Sequence, residues 1–226
     1  MGDLEGNEFT ITIRNLNNND VKKIQKLQNK RIKIPNLYGP QRFSKNNQLI
    51  GKSVIKRDFK KAAELILENT GANEEKIKNY LTKNKNNYVE ALRLIPLKTR
   101  KIFVHSYQSF LFNKTANGYL KKKNSKNIKV PIIGFNFELS SVRNAALKNI
   151  IKKILDEEKI SPRDFIINQM PELTSEGDFR DLFFNLNFKI LEIAEDELNK
   201  NKQKIRINFT LPKSCYATVA LEFLFQ

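Results

Sequence analysis

Residues 8–16, EFTITIRNL, put Phe9, Ile11 and Ile13 at every second position with polar residues between them. A period of two is the spacing at which side chains of a strand share one face, so this stretch is read as a half-buried strand. VKKIQKLQNK changes period: Val21, Ile24 and Leu27 recur at helical spacing, with Asp20 placed as the helix cap. IPNLYGPQRF breaks the pattern, and FKKAAELILEN, NEEKIKNYLTKN and YVEALRLI resume it as helices. From Thr99 to Leu120, Phe103, Tyr107, Phe110, Leu111 and Thr115 lie on related faces of one long helix. VPIIGFNFEL reads as a short strand pair. AALKNIIKKILDEE reads as a helix with a core stripe at Leu147, Ile150, Ile151, Ile154 and Leu155. SPRDF opens a short helix with Ser161 as cap and Pro162 at its first position. RDLFFNLNFKILEIAED alternates as strands, and IRINFTLPKSCYATVALEFLF is expected to close the chain as two strands across an LPKS turn. No internal repeat is visible, and the class is α+β with mostly antiparallel pairing.

At 226 residues the chain fits one large domain or two small ones, and 40% hydrophobic residues with 16 Phe can fill a core. The single cysteine, Cys215, excludes an internal disulfide and favours a reducing, cytoplasmic setting. MGDLEGNEF has no basic segment leading into an apolar one, and no apolar run reaches about 18 residues, so neither signal peptide nor membrane span is expected. The balance of 41 Lys+Arg against 24 Asp+Glu gives +17. Such an excess points to a polyanionic partner, because neutralised phosphates release condensed counterions. The plainer reading is biased composition with solvated lysines. Arg31, Lys33, Arg42, Lys45, Lys52, Lys56, Arg57, Lys60 and Lys61 crowd one region, and Lys121, Lys122 and Lys123 form a second cluster.

Familiar catalytic signatures are missing. CxxC, HxxxH, a glycine-rich phosphate loop and GxSxG do not occur, which leaves zinc sites, nucleotide hydrolysis and serine-hydrolase chemistry without support. His105, the one histidine, sits in a Phe-rich helical segment and reads as a packed or surface residue rather than a catalyst. The acidic groups at 156–158 and 176–181 read as a solvated helix face and a turn.

Particular wording carries the reading further. NLYGPQRFS (Asn36–Ser44) resembles the NYFGxQRFG signature of the TruD family of tRNA pseudouridine synthases. GDLEGNEFTITIRNL is similar to that family's GDLxGNxFxIxIRxL, and RKIFVHSYQSFLFN resembles its helix with the wording HAYQSxLFN. GDFR (Gly177–Arg180) is similar to its late G-x-x-R turn, and FTLPKSCYATVALE to its FxLPKGSYATxxLRE. Five segments in the family's order run from the first residues nearly to the last.

The resemblance implies isomerisation of a uridine in tRNA or another structured RNA: uracil is detached from ribose, rotated and rejoined through carbon, with an aspartate as covalent participant. It implies no metal and no organic cofactor. The target base must be extruded, stacked and held by its edge. By this resemblance Asn36 offers the donor and acceptor that a uracil edge requires, Tyr38 packs under the base, and Gly39-Pro40 turns the loop. Gln41 and Arg42 bind phosphate or brace the loop, with a buried carboxylate as the other partner open to Arg42. Phe43 reads as core. Arg180 belongs to the substrate set. Tyr216 is either an aromatic of the cleft or an ordinary half-buried strand residue. Lys33, Lys45, Lys52, Lys56, Arg57, Lys121, Lys122 and Lys123 are expected on the RNA backbone.

This sequence departs from the pattern at Tyr38 for Phe, Ser44 for Gly, Ser214-Cys215 for Gly-Ser, and Glu222-Phe223 for Arg-Glu. If the glycine before that Ser served a positive φ, Ser214 costs roughly 1 kcal/mol. The family's aspartate motif lies upstream of GDLxGN, and no KDxxAxTxQ-like stretch occurs in these residues. The expectation is therefore a C-terminal portion with no nucleophile of its own, its aspartate supplied by a missing segment or a second polypeptide. The alternative is a catalytically inactive RNA-binding protein derived from the family. The expected fold is an incomplete, mixed or antiparallel catalytic sheet of pseudouridine-synthase type, at 1–60 and 204–226, with an α+β TRUD insertion domain at 61–203.

Overall fold

A computed structural model describes residues 5–122 and 126–225. The first half runs β1 (Gly6–Leu16), α1 (Asn18–Leu27), β2 (Ile32–Pro35), α2 (Asn47–Ile55), α3 (Phe59–Leu67), α4 (Ala72–Lys83), α5 (Tyr88–Arg93) and α6 (Leu97–Leu120). Then follow β3 (Lys129–Ile132), α7 (Ala145–Glu158), β4 (Asp178–Asp181), β5 (Phe183–Leu186), β6 (Phe188–Glu195), β7 (Gln203–Pro212) and α8 (Ala217–Phe225). This is the α+β class with antiparallel strand pairing that the sequence pattern implies. Two compact units divide the chain: residues 1–39 with 181–226, and residues 40–180.

In the first unit the two ends of the chain share one sheet, ordered β1-β7-β6 and antiparallel throughout. The period-two pattern now has its reason. Phe9, Ile11 and Ile13 stand opposite Phe209, Ile207 and Ile205, while Glu8, Thr10 and Thr12 stand opposite Thr210, Asn208 and Arg206 on the other face. Ile205, Ile207, Phe209 and Leu211 are buried with Ile24, Ile34, Leu186, Ala220 and Leu224. A bulge at Arg14-Asn15 ends the regular register of β1, with Asn15 at φ 60°. Asp196, buried in the β6–β7 turn, grips that bulge: it accepts from Asn15 N at 2.7 Å, Arg14 Nη1 at 2.9 Å, Leu198 N at 3.0 Å and Asn199 Nδ2 at 2.8 Å. A shorter ladder joins β2 to β5, pairing Pro35 with Phe183.

In the second unit α6 is the axis. Buried residues occur all round it, from Phe103 and Val104 through Tyr107, Gln108, Leu111 and Phe112 to Tyr119. Helices α2 and α7 and strand β3 pack on it. Gly51 of α2 lets two backbones touch: a Cβ there would lie 2.0 Å from the Phe103 carbonyl oxygen. Glu158, at the end of α7, holds three neighbours, accepting from Lys52 at 2.7 Å, Lys114 at 2.9 Å and the Tyr107 hydroxyl at 3.2 Å. Burial alone would raise the Glu158 carboxyl, but the two ammonium groups outweigh it and hold it below its usual range. So one member of the 156–158 acidic run is a packed hub rather than a solvated residue.

Four local expectations are corrected. The cap of α1 is Asn17, whose side chain accepts from Asn19 N and Asp20 N; Asp20 completes the capping box by accepting from Asn17 N. Ile32–Pro35, inside the expected break, is a strand, because it finds β5 as partner. Of VPIIGFNFEL only the first part is a strand; the remainder folds over the Gly177 turn. The last segment, 217–225, is a helix and not a strand. Its apolar run is short enough to suit either state, and Val219, Ala220 and Leu224 settle it by meeting the core at helical spacing. Helix α2 was not anticipated.

Candidate functional site

Within the first unit, Asn36 follows directly on β2 and extends its ladder: its N–H donates to the Leu182 carbonyl at 2.8 Å. The residue is buried and its backbone is held by the sheet rather than carried on a loose loop. Two residues on, Tyr38 meets Tyr216 edge to face, with ring centroids 5.9 Å apart at 66°. Such aromatic pairs are worth about 0.5–1.5 kcal/mol beyond their area. Tyr216 stands at the start of α8, where its carbonyl accepts from Ala220 N at 3.1 Å, so the strand reading of this residue is withdrawn. The turn before it closes through Cys215 N to Pro212 O, with Ser214 at φ 68°. Beside β2, Lys33 Nζ lies 3.9 Å from the centre of the Phe183 ring.

Within the second unit, Pro40–Arg42 forms a single 3₁₀ turn that docks on α6. The Arg42 carbonyl accepts from Ser106 Oγ at 2.8 Å, and Arg42 Nε donates to Ser109 Oγ at 3.1 Å. Ser109 in turn donates to the His105 carbonyl at 2.8 Å. Two of the motifs, PQRF and HSYQS, are thereby joined by serines to which the sequence reading gave no role. Burial, with the positive charges of Arg42 and Lys101, holds the His105 imidazolium pKa below its ordinary value. His105 is half-buried on α6. Gln108 spreads its amide between the Ile133 and Glu176 carbonyls, both at 2.9 Å, and so fixes the approach to GDFR. There Gly177 N donates to Asn136 Oδ1 at 2.6 Å, and a Cβ on Gly177 would lie 2.4 Å from the Ile132 carbonyl oxygen. This crossing of backbones is the physical reason for the glycine of GDFR. Its arginine, Arg180, is buried with its guanidinium 5.7 Å above the Phe112 ring. A polar residue on a helix buried all round was the signal that could have marked Ser106, Gln108 and Ser109 in advance.

The cationic set divides. Lys45, Lys121 and Lys122 are exposed; Lys123 lies outside the described residues, as do Gly2–Leu4 of the first matching segment. Lys52 is tied to Glu158. Lys56 Nζ donates to the Lys159 carbonyl at 2.5 Å, and Arg57 reaches the Ile166 carbonyl at 2.9 Å and Asp164 at 3.6 Å. Gln41 is exposed. Among the described residues no group of three or more His, Cys, Asp and Glu side chains is placed to hold a metal, and no helix is long and apolar enough to cross a membrane.

Comparison with known proteins places this geometry in a lineage. The family model described as tRNA pseudouridine synthase D (TruD) matches residues 1–79, 71–130 and 115–223. A Methanosarcina acetivorans protein named "Probable tRNA pseudouridine synthase D" is 28% identical over 304 residues, covering 98% of this chain and 68% of that one. Methanocaldococcus jannaschii has a relative, "Probable tRNA pseudouridine synthase D 2", 29% identical over 295 residues, covering 100% of this chain and 68% of its own length. Both alignments are longer than the 226-residue chain, so the relatives carry extra residues inside the matched region. The crystal structure of a TruD-type protein from Methanosarcina mazei superposes with a TM-score of 0.80 at 24% identity, covering 100% of this chain and 70% of that one, which is a likeness of fold.

Proposed function

Because the chain belongs to the TruD family, we propose that it acts in isomerising uridine to pseudouridine in tRNA, and that Asn36 is the residue that holds the uracil edge. The observation that carries this role is the placement of Asn36: a buried residue whose backbone is fixed at the end of the β2–β5 ladder, two residues from Tyr38 of the Tyr38–Tyr216 pair. A carboxamide offers one acceptor and two donors, which suits the N–H and carbonyl groups of a uracil edge. Tyr38, propped by Tyr216, supplies an aromatic surface for an extruded base. Arg42, seated on Ser109, and Arg180, seated over Phe112, are held in fixed positions by their packing, as groups that recognise phosphate or ribose should be. Gln41 is assigned to the same set. Lys33, Lys45, Lys121 and Lys122 are assigned to the RNA backbone with Lys123; Lys52, Lys56 and Arg57 join them only by releasing their present partners.

We assign the catalytic module to residues 1–60 and 204–226 and the inserted module to residues 61–203; the compact units of the fold divide at 39/40 and 180/181. No observation favours the catalytically inactive alternative, and a second polypeptide as source of the aspartate has no support from the relatives, so neither is proposed. The test is genetic and chemical. In a host lacking its own TruD-type enzyme, the chain joined to the aspartate-bearing segment that the family resemblance places upstream of GDLEGN should restore pseudouridine at a tRNA uridine, read by carbodiimide labelling and primer extension. Asn36→Ala should abolish that signal while protein level and tRNA binding persist. Unmodified tRNA with the wild-type chain so joined would overturn the reading of function, and full modification with Asn36→Ala would overturn the role given to that residue.

A further inference from the structure

The exposed face of α1 carries Lys22, Lys23 and Lys26, and the turn after the helix brings Lys30 to the same place. With Asn19 and Leu27 these four lysines line one shallow groove of about 400 Å³. Lys22 and Lys26 are one turn apart, about 6 Å along the axis. The opposite face is anchored, since Val21 and Ile24 are buried in the core of this unit. The turn is also set: Asn29, at φ 60°, donates to the Phe188 carbonyl at 3.3 Å, and Lys30 N donates to Leu27 O at 3.2 Å.

The ridge gathers four lysines along one groove and has no counter-charge of its own. Asp20 is the acidic residue of α1, and its carboxylate is committed to the capping box at Asn17. None of the four lysines forms an ion pair among the described residues, whereas Lys52 and Lys114 are neutralised by Glu158 and Lys204 by Glu197. Like charges one turn apart on a helix destabilise it. A row of them on an anchored helix, bordering a groove with no carboxylate in its lining, is complementary to a regularly spaced polyanion.

We propose that the α1 ridge is an RNA-backbone docking surface, in which Lys22, Lys23, Lys26 and Lys30 track consecutive phosphates of the tRNA. This rests on the tRNA reading above and extends it to a helix that none of the family-like motifs includes. The ridge gives affinity and orientation without reading bases.

The test compares two quadruple variants of the chain with equal loss of charge. One carries Lys22→Ala, Lys23→Ala, Lys26→Ala and Lys30→Ala. The other carries Lys76→Ala, Lys78→Ala, Lys83→Ala and Lys85→Ala, all exposed residues in or just after α4. Alanine favours helix, and far-UV circular dichroism confirms that α1 survives. Binding of unmodified tRNA transcript is titrated across salt concentration. Each phosphate contact contributes about 0.7–0.9 to the slope of log affinity against log salt, so the ridge variant should lose about 3 units of slope and the α4 variant far less. Equal loss in both variants would mean only a diffuse field and would overturn the proposal. So would an unchanged slope in the ridge variant, or loss of phosphatidylserine-vesicle binding with tRNA binding intact. Wild-type chain that binds tRNA without salt dependence would overturn this proposal together with the functional reading; steep wild-type binding with an indifferent ridge would overturn this one alone.

Discussion

Ser44 and Ser214 occupy left-handed backbone, at φ 47° and 68°. Both stand where the family pattern has glycine; the condition set from the sequence for Ser214 is met, and Ser44 falls under the same condition. A side chain there costs about 1–2 kcal/mol, offset in part by the extra chain entropy that glycine loses on folding. Ser44→Gly should therefore stabilise by about 0.5–1 kcal/mol, read as a higher urea midpoint, and Ser44→Ala should not. Asp196 makes the opposite kind of statement. Burial pushes its carboxyl up, but hydrogen bonds from Asn15 N, the Asn199 amide, Leu198 N and Arg14 outweigh that and hold it well below the usual range. Its neighbour Glu197 is held down to about 2, chiefly by Arg14 and then Lys204. A depressed carboxyl contributes stability above its unfolded pKa and loses it as pH falls toward the folded one. Melting temperature should thus decline below about pH 4, the ordinary range of an unfolded aspartate. Asp196→Asn should melt lower than wild type at pH 7, with the gap closing on acidification; a constant gap from pH 7 to pH 2 would refute the assignment.

At the scale of elements, legibility followed period and length. β1 was clear because its polar and apolar faces are separated by the sheet itself, and α7 because Leu147, Ile151, Ile154 and Leu155 repeat on one side. Helix α8 was misread because its nine residues are almost all apolar, so no face stood out. Helix α2 escaped because its middle is a glycine, a poor helix former chosen for another reason. That reason yields a prediction: Gly51→Ala gains helix propensity but drives a methyl group into the Phe103 carbonyl. The clash should dominate, with a net loss of about 1–3 kcal/mol by chemical denaturation. Of the candidate site, motif wording located Asn36, Tyr38, Arg42, Arg180 and Tyr216. It did not reveal that Ser106, Ser109 and Gln108 are the hydrogen-bonding residues that seat two of those motifs, since such partners are set by a helix packing that only the folded chain defines.

For the whole molecule, the charge of +17 is unevenly spent. Lysines near Glu158 and Glu197 are consumed internally, while the α1 ridge keeps its field for a partner. The other whole-chain feature is the sheet that joins both ends. Arg14 and Asp196 are 182 residues apart, and the second unit is one uninterrupted stretch between the halves of the first. Local contacts form fast and distant pairings slowly, because closing a long loop costs entropy before any pairing offsets it. Time therefore enters the architecture. During synthesis the β1–β7 ladder must wait until the whole of the second unit, which lies between the two strands, has been made. The middle stretch is complete before that ladder can form. Pulse-labelled hydrogen exchange during refolding should protect α6 ahead of β1 and β7, and simultaneous protection would contradict this order. A chain cut short before β7 would leave β1 without the partner strand it has here.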